Sequence, residues 1–350
     1  MSLSVLMAGP VPPPIGGTTV LFEGLARGLV SRDGLDVRVI DTGGVRGRGL
    51  RAPGALLGLR RKIARAVADV DVATLHVSTS ALHVMAPLFV AECARVATPS
   101  VVRKFGGTDF MQYPARRRAP IVRALVRADL YLAETRSLVS TAERAGLERV
   151  RWFPNSRPMP ELPPDDTTGR RCERFVYLGQ IHSRKGVREL VAAAARLEGA
   201  ATVDVYGTLD FDIEREELEG RDRLAYRGSV EPSEVARVLS RYDALVLPSY
   251  HEGEGYPGVV LEAYAVGIPV VVTRWRALPE IVDESCGLLV EPRDAADLTR
   301  AMNGLCERPD EYARLRAGVR ERREDFSDAV WHERFVAMCR ELAERQAPGG

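Results

Sequence analysis

Two glutamates eight positions apart, Glu254 and Glu262, stand in the segment 247–267 among four glycines, and this combination suits the handling of a sugar joined to a phosphate. Ionised carboxylates accept paired hydrogen bonds from the neighbouring hydroxyls of a sugar or a ribose. Between them, Gly255-Tyr256-Pro257-Gly258 lies where a helix can start, because proline is tolerated in a first turn and Gly267 can end that helix. Backbone N–H groups at such a start, beside the positive end of the helix dipole, hold anions. A capped helix with an acid in its first turns would use the same residue types; the glutamate pair and the glycines together favour a ligand.

A second segment of this kind is Tyr177-Leu178-Gly179-Gln180-Ile181-His182-Ser183-Arg184-Lys185-Gly186, ahead of a helical pattern. Lysine is scarce in the chain (Lys62, Lys104 and Lys185 alone). A cation at a helix start opposes the dipole by about 0.3–1 kcal/mol unless an anion is bound beside it, so Lys185 reads as a phosphate ligand rather than a solvated surface group. The third segment runs from Gly9 through a proline stretch to Gly16-Gly17 at the start of another helix, where a Cβ would keep an anion off the backbone. It matches neither G-x-G-x-x-G nor G-x-x-x-x-G-K-[ST], which excludes the usual dinucleotide fingerprint and the P-loop; a tight strand-to-helix turn would look the same. Two further candidates are open between roles. His76 either lines a cleft or sits satisfied in the core, and Asp109 either orients an acceptor hydroxyl or caps a helix.

The elements that must position these residues are legible as alternation. Strand-length apolar runs at 4–8, 37–40, 72–77, 101–105 and 130–133 are separated by helical patterns such as 18–29, 56–67 and 120–127. The alternation restarts with strands at 175–178, 203–206, 244–247, 270–273 and 287–290 and helices at 186–197, 233–242, 259–266 and 295–305. Near-continuous Val/Ile/Leu runs are what strands buried on both faces look like, and parallel strands need helical crossovers. Each half is therefore expected to be an α/β, doubly wound parallel sheet, with the glycine and glutamate segments at its carboxyl edge, the usual ligand crevice. Boundaries are expected at 1–157 for the first domain, 158–171 for a proline-rich linker, 172–326 for the second domain and 327–350 for a last helix. In that helix Trp331, Phe335, Met338 and Leu342 form an apolar stripe that needs a partner, expected on the first domain, before a frayed tail at 347–350.

Composition narrows the class further. With 350 residues, 45% hydrophobic and 28% charged, the chain exceeds one core and is neither disordered nor a disulfide scaffold. Cys93, Cys172, Cys286, Cys306 and Cys339 are odd in number and form no C-x-x-C pair, which suits a reducing compartment and argues against a cysteine zinc site. No apolar run approaches the roughly 18–20 residues of a membrane span and no signal peptide is evident, so the expectation is cytoplasmic. Residues 1–160 carry 23 Lys+Arg against 12 Asp+Glu, whereas 161–350 carry 26 against 36. Either the basic half attracts an anionic acceptor or phospholipid surface, or the two halves complement each other. Arginines at 46, 48, 51, 60, 61 and 65 and the run Arg116-Arg117-Arg118 would meet an anionic bilayer carrying a lipid-linked acceptor, or form a solvated helix face.

In order and spacing, the Glu254/Glu262 pair (E-x7-E), Gly179…Lys185-Gly186, the Pro-rich Gly16-Gly17 turn and Tyr226-Arg227-Gly228-Ser229-Val230 resemble the retaining GT-B glycosyltransferases of glycosyltransferase family 4. The resemblance covers nearly all of the chain and is strongest over 172–306. It implies two Rossmann-like domains facing a central cleft, the first binding the acceptor and the second a nucleotide-diphosphate-sugar donor. Glu254 would then contact sugar hydroxyls near the reacting carbon, Glu262 the ribose, and Lys185 with the Gly16 and Gly17 amides the diphosphate, while Gly228–Val230 would lie by the base. The implied enzyme is a retaining glycosyltransferase needing no metal or cofactor and binding no nucleic acid. Its acceptor would be a glycan, a lipid-linked or a small-molecule hydroxyl, in cell-envelope or exopolysaccharide assembly, at the inner membrane face or free in the cytoplasm.

Two positions depart from the family pattern. Gln180 stands where members usually have arginine, which leaves Arg184 to replace that cation, and Phe105, in Arg103-Lys104-Phe105-Gly106-Gly107-Thr108-Asp109, stands where a histidine is usual. Asp210-Phe211-Asp212 reads as a helix start rather than a manganese site. With retention, charge builds on the departing diphosphate, which can itself take the acceptor's proton; that explains why no side-chain base stands out. Two alternatives follow from the same residues: a GT-B 2-epimerase, which would turn over donor alone, and a nucleotide-sugar-binding protein without transfer activity.

Overall fold

The computed structural model describes residues 2–14, 16–43, 53–164 and 169–346. The chain folds as two compact α/β units, one of residues up to Asn155 together with the last helix, the other Ser156–Ser327. Arginines 46, 48 and 51 and the tail 347–350 lie outside the described residues.

In the first unit β1 (Leu3–Gly9), α1 (Gly17–Val30), β2 (Leu35–Asp41), α2 (Pro53–Ala66), β3 (Val72–Ser78), α3 (Thr79–Val96), β4 (Ser100–Phe105), α4 (Ala115–Arg127), β5 (Leu130–Ala133), α5 (Arg136–Arg144) and β6 (Val150–Trp152) follow in order. The strands form one parallel sheet, β2-β1-β3-β4-β5-β6. Its two faces bury separate cores. Leu59 and Ile63 of α2, Leu82 and Phe89 of α3 and Ile121 and Leu125 of α4 cover one face. Phe22 and Leu25 of α1 cover the other with Trp331, Phe335 and Leu342.

The second unit runs β7 (Arg174–Leu178), α6 (Val187–Ala194), β8 (Thr202–Tyr206), β9 (Leu224–Tyr226), α7 (Val235–Leu239), β10 (Ala244–Leu247), α8 (Gly258–Ala265), β11 (Val270–Thr273), α9 (Leu278–Ile281), β12 (Gly287–Val290), α10 (Ala295–Glu307) and α11 (Pro309–Arg322). The chain then returns to the first unit as α12 (Asp328–Gln346), where Trp331 meets Trp152 and Phe153 edge-on, ring centres 5.0 and 5.3 Å apart. The second sheet is also parallel, in the order β12-β11-β10-β7-β8-β9. Two Rossmann-like parallel sheets are thus present, as the alternation predicts.

Three local expectations are corrected. The helix expected from Pro120 begins five residues earlier, at Ala115, and carries the proline internally. Asp210–Asp212 is a turn, not a helix start; the short helical turn comes later, at Arg215–Glu217. The described part of 158–171 is not a free connector, for Pro160 and Pro163 each accept a hydrogen bond at 2.5 Å, from Arg323 and Arg320 of the second unit. Asp165 to Thr168 lie outside the described residues.

Candidate active site

Strand order in the second sheet reverses between β7 and β10, and a crevice for a ligand opens outside the carboxyl ends of strands at such a point. The two loops leaving those strands are the lysine segment, 179–186, and the glutamate segment, 248–257. They are joined at the backbone, Tyr250 N–H donating to the Arg184 carbonyl at 2.8 Å. Gly186 makes the approach feasible. It takes φ +74°, and a Cβ there would stand 2.0 Å from the Pro248 carbonyl oxygen.

Lys185 Nζ reaches both oxygens of Glu254, at 2.7 and 3.0 Å. Ser249 Oγ donates to the same carboxylate, which is 6% exposed. Three hydrogen bonds thus occupy most of the roughly four acceptor positions of Glu254. An ammonium with three donors keeps one free, so the pair presents a fixed cation with an acceptor position left beside it. The N–H groups of Gly255 and Gly258 make no hydrogen bond among the described residues and remain donors at the start of α8. Arg184 is exposed, without an ion-pair partner among the described residues, and Gln180 donates to Asp210 Oδ2 at 3.1 Å.

Glu262, in α8, accepts from Arg157 Nε at 2.9 Å through one oxygen and leaves the other unused among the described residues. Arg157 was not among the residues singled out in the sequence, where it sits in a run of prolines. It is held by its own N–H to the Phe326 carbonyl at 3.0 Å, and its guanidinium crosses the start of α8 where a Cβ on Gly258 would lie 2.1 Å from it. The turn after β8 supports the lysine loop: Asp212 accepts from Ser183 N–H and Oγ at 3.1 and 2.5 Å. Both oxygens of Asp210 and one oxygen of Asp212 accept from protein donors, and no group of three or more His, Cys, Asp or Glu among the described residues could hold a metal. Next in the sheet, Gly228 accepts from Gly207 N–H at 2.9 Å, which brings the turn leading to Val230 to the same edge.

His182 and His251 flank the pair, their rings 5.7 Å apart. Burial, then the charge of Lys185, holds both imidazoles below the ordinary histidine value. Tyr256 is a candidate donor contact through its backbone N–H; its side chain is buried and donates to Glu280 at 2.7 Å.

In the first unit Gly16 and Gly17 are exposed where α1 begins. A Cβ on Gly17 would meet nothing within 4 Å, so packing does not demand glycine there. The Gly16 amide is corrected as an anion donor, because it already donates to Thr19 Oγ1 at 2.9 Å. Asp109 caps the short helical turn Phe110–Gln112, accepting from Met111 N–H at 2.8 Å. His76 is corrected as an acceptor-side residue. It is fully buried between Phe22, Phe105 and Phe335, with Nε2 3.1 Å from Thr74 Oγ1. Burial and then Arg103 push it well below the usual value. Phe105 itself is buried, with the Arg103 guanidinium 4.5 Å over its ring. Lys104 is buried too and donates to the Gly106 carbonyl at 2.5 Å; burial lowers it to about 8, against the pull of Glu134 and Asp109.

Residues 172–308, the greater part of the unit that holds this site, match the sequence family described as glycosyl transferases group 1. The chain carries a group 1 segment. A glycogen synthase of Mycobacterium tuberculosis is 30% identical over 190 residues, which cover 52% of this chain and 43% of that protein. An MMP alpha-(1->4)-mannosyltransferase of Mycolicibacterium hassiacum is 33% identical over 146 residues, 39% of this chain and 35% of that protein. The matches thus span less than half the length of either relative. Among solved structures, Anabaena Alr3699/HepE in complex with UDP superposes with a TM-score of 0.77 over 97% of this chain and 100% of that one, at 16% identity. That likeness establishes the fold, two Rossmann-like units of the GT-B class, and nothing beyond it. No helix among the described residues is long and apolar enough to cross a membrane.

Proposed function

We propose that the chain transfers a sugar from a nucleotide-diphosphate-sugar to an acceptor hydroxyl, with retention at the anomeric carbon and without a divalent metal. The observation that carries this is the Lys185–Glu254 contact, which fixes a single ammonium between two glycine loops at the switch point of a parallel sheet. The group 1 segment and the names of the relatives support it. A glycan hydroxyl is the acceptor class that a glycogen synthase and a mannosyltransferase suggest.

In this reading Lys185, the free amides at the start of α8 and Arg184 neutralise the diphosphate as it departs. The second oxygen of Glu262 receives a ribose hydroxyl. Glu254 fixes the ammonium and offers its remaining acceptor position to the sugar. Charge appears on the leaving group in the transition state, and preorganised donors aimed at it lower the barrier without a metal; loss of one typically costs about 3 kcal/mol, near a hundredfold in rate. The acceptor's proton passes to a diphosphate oxygen as the new C–O bond forms and the C–O bond to the diphosphate breaks.

Thermal-shift screening of nucleotide-sugars identifies the donor, and transfer is then measured with glycan acceptors in the presence of a chelator. Lys185→Ala and Glu254→Ala are expected to lose about a hundredfold or more in transfer. Full activity in either purified variant overturns the reading. Donor turnover without acceptor would mark an epimerase, and ligand binding with neither reaction a binding protein.

A further inference from the structure

The outer side of α2, α3 and α4 carries a charge pattern that sugar transfer leaves unused. These three helices, which cover one face of the first sheet, hold ten Lys+Arg and a single carboxylate, Glu92. Glu92 is buried and already taken by Arg60 and Arg95, at 2.6 and 3.2 Å. Arg116, Arg117, Arg123 and Arg127 of α4 are exposed and have no carboxylate partner among the described residues. Amid these cations lies an apolar groove of about 450 Å³ between α3 and α4, lined by Pro87, Val90 and Ala91 on one side and Pro120, Val122 and Val126 on the other. Val126 is 48% exposed at its rim, and Arg123 and Arg127 border it.

We propose that this face docks on an anionic phospholipid bilayer. Its arginines would meet headgroup phosphates while Val122 and Val126 reach the acyl boundary, as expected of an interfacial helix with apolar and cationic positions side by side. A second copy of the chain is disfavoured as the occupant, because two such faces repel. A soluble polyanion such as a nucleic acid would satisfy the arginines but leave the groove in water. The proposal rests on this face alone and is independent of the transfer reading.

The full chain is sedimented with vesicles of phosphatidylcholine that contain or lack phosphatidylglycerol, at low and high salt, with no donor or acceptor present. Binding is expected only with phosphatidylglycerol and is expected to weaken with salt. It should fall about tenfold or more in the triple variant Arg116→Glu/Arg117→Glu/Arg123→Glu. Val122→Asn/Val126→Asn, which removes no charge, should weaken vesicle binding severalfold yet leave retention on a heparin column unchanged. Arg116, Arg117, Arg123 and Val126 are exposed while Val122 is partly buried against the core, so unchanged circular dichroism and an unchanged urea midpoint are the folding controls. Indifference to phosphatidylglycerol, or vesicle binding that survives the arginine variant, overturns the proposal. Vesicle binding that the valine variant does not alter also overturns it and marks the face as a site for soluble polyanions.

Discussion

At the scale of single residues, Lys185 and Glu254 are joined to each other as closely as either could be to a ligand, so their contributions to folding and to chemistry must be separated. Both side chains are mostly buried, at 18% and 6% exposure. Removing one partner of such a pair strands the other charge, at a cost of about 3–5 kcal/mol, whereas replacing both with neutral groups of similar volume is often close to neutral. Lys185→Met is therefore expected to lower the unfolding midpoint in urea, and Lys185→Met/Glu254→Gln to recover most of that loss. Transfer should stay abolished in both. If the double variant regains activity along with stability, Lys185 serves only to neutralise Glu254. Scarcity of lysine and a glycine context made this residue legible in the sequence. Arg157 was not, because an arginine among prolines resembles a connector and its partner Glu262 lies 105 positions away. His76 stays open between cleft and core in the sequence because a strand-end histidine gives no sign of whether its strand is covered, and here α1 and α12 bury it completely.

At the scale of elements, the strands buried on both faces were readable because a run such as Ala244–Leu247 is apolar throughout. The two strands that were missed, β6 and β9, are three residues each at the sheet edges, too short for a periodic signal. The turn of chain from Ser327 into α12 was visible only as an apolar stripe in need of a partner. That stripe now has one: Trp331 is 2% exposed and Phe335 1%, both packed in the core with Phe153. Trp331→Ala empties a large site in that core and is expected to destabilise the first unit by about 3–5 kcal/mol. Because the second unit has its own sheet and core, urea unfolding of this variant should split into two transitions, the later one matching the wild-type behaviour of residues 156–327. A single transition shifted as a whole would show that the two units unfold cooperatively.

At the scale of the whole molecule, histidine burial sets the response to acid. His76 and His332 in the first unit and His182 and His251 in the second all titrate below the ordinary value of 6.5, burial being the largest cause in each case. Thr74 Oγ1 donates to the Leu6 carbonyl at 3.0 Å, so its lone pair must accept from His76 Nε2–H, which leaves Nδ1 as the unprotonated nitrogen. That Nδ1 has no hydrogen-bond partner among the described residues and lies in the field of buried Arg103, so a proton added there would be both unsatisfied and repelled. The folded values lie below the unfolded one; stability is then complete above pH about 6.5 and is lost as pH falls from there toward the folded values, since only the unfolded chain takes up the protons. His76 alone should account for part of the stability lost between about pH 7.5 and 5.5, because its folded value lies well below the unfolded one. Urea midpoints measured across that range are expected to fall as the pH is lowered. His76→Leu, which keeps the Thr74 hydrogen bond to Leu6, should flatten the part of the fall that belongs to the first unit. A midpoint that rises on acidification, or a slope that His76→Leu leaves unchanged, would mean that His76 is protonated in the folded chain and that the packing around it accommodates a charge.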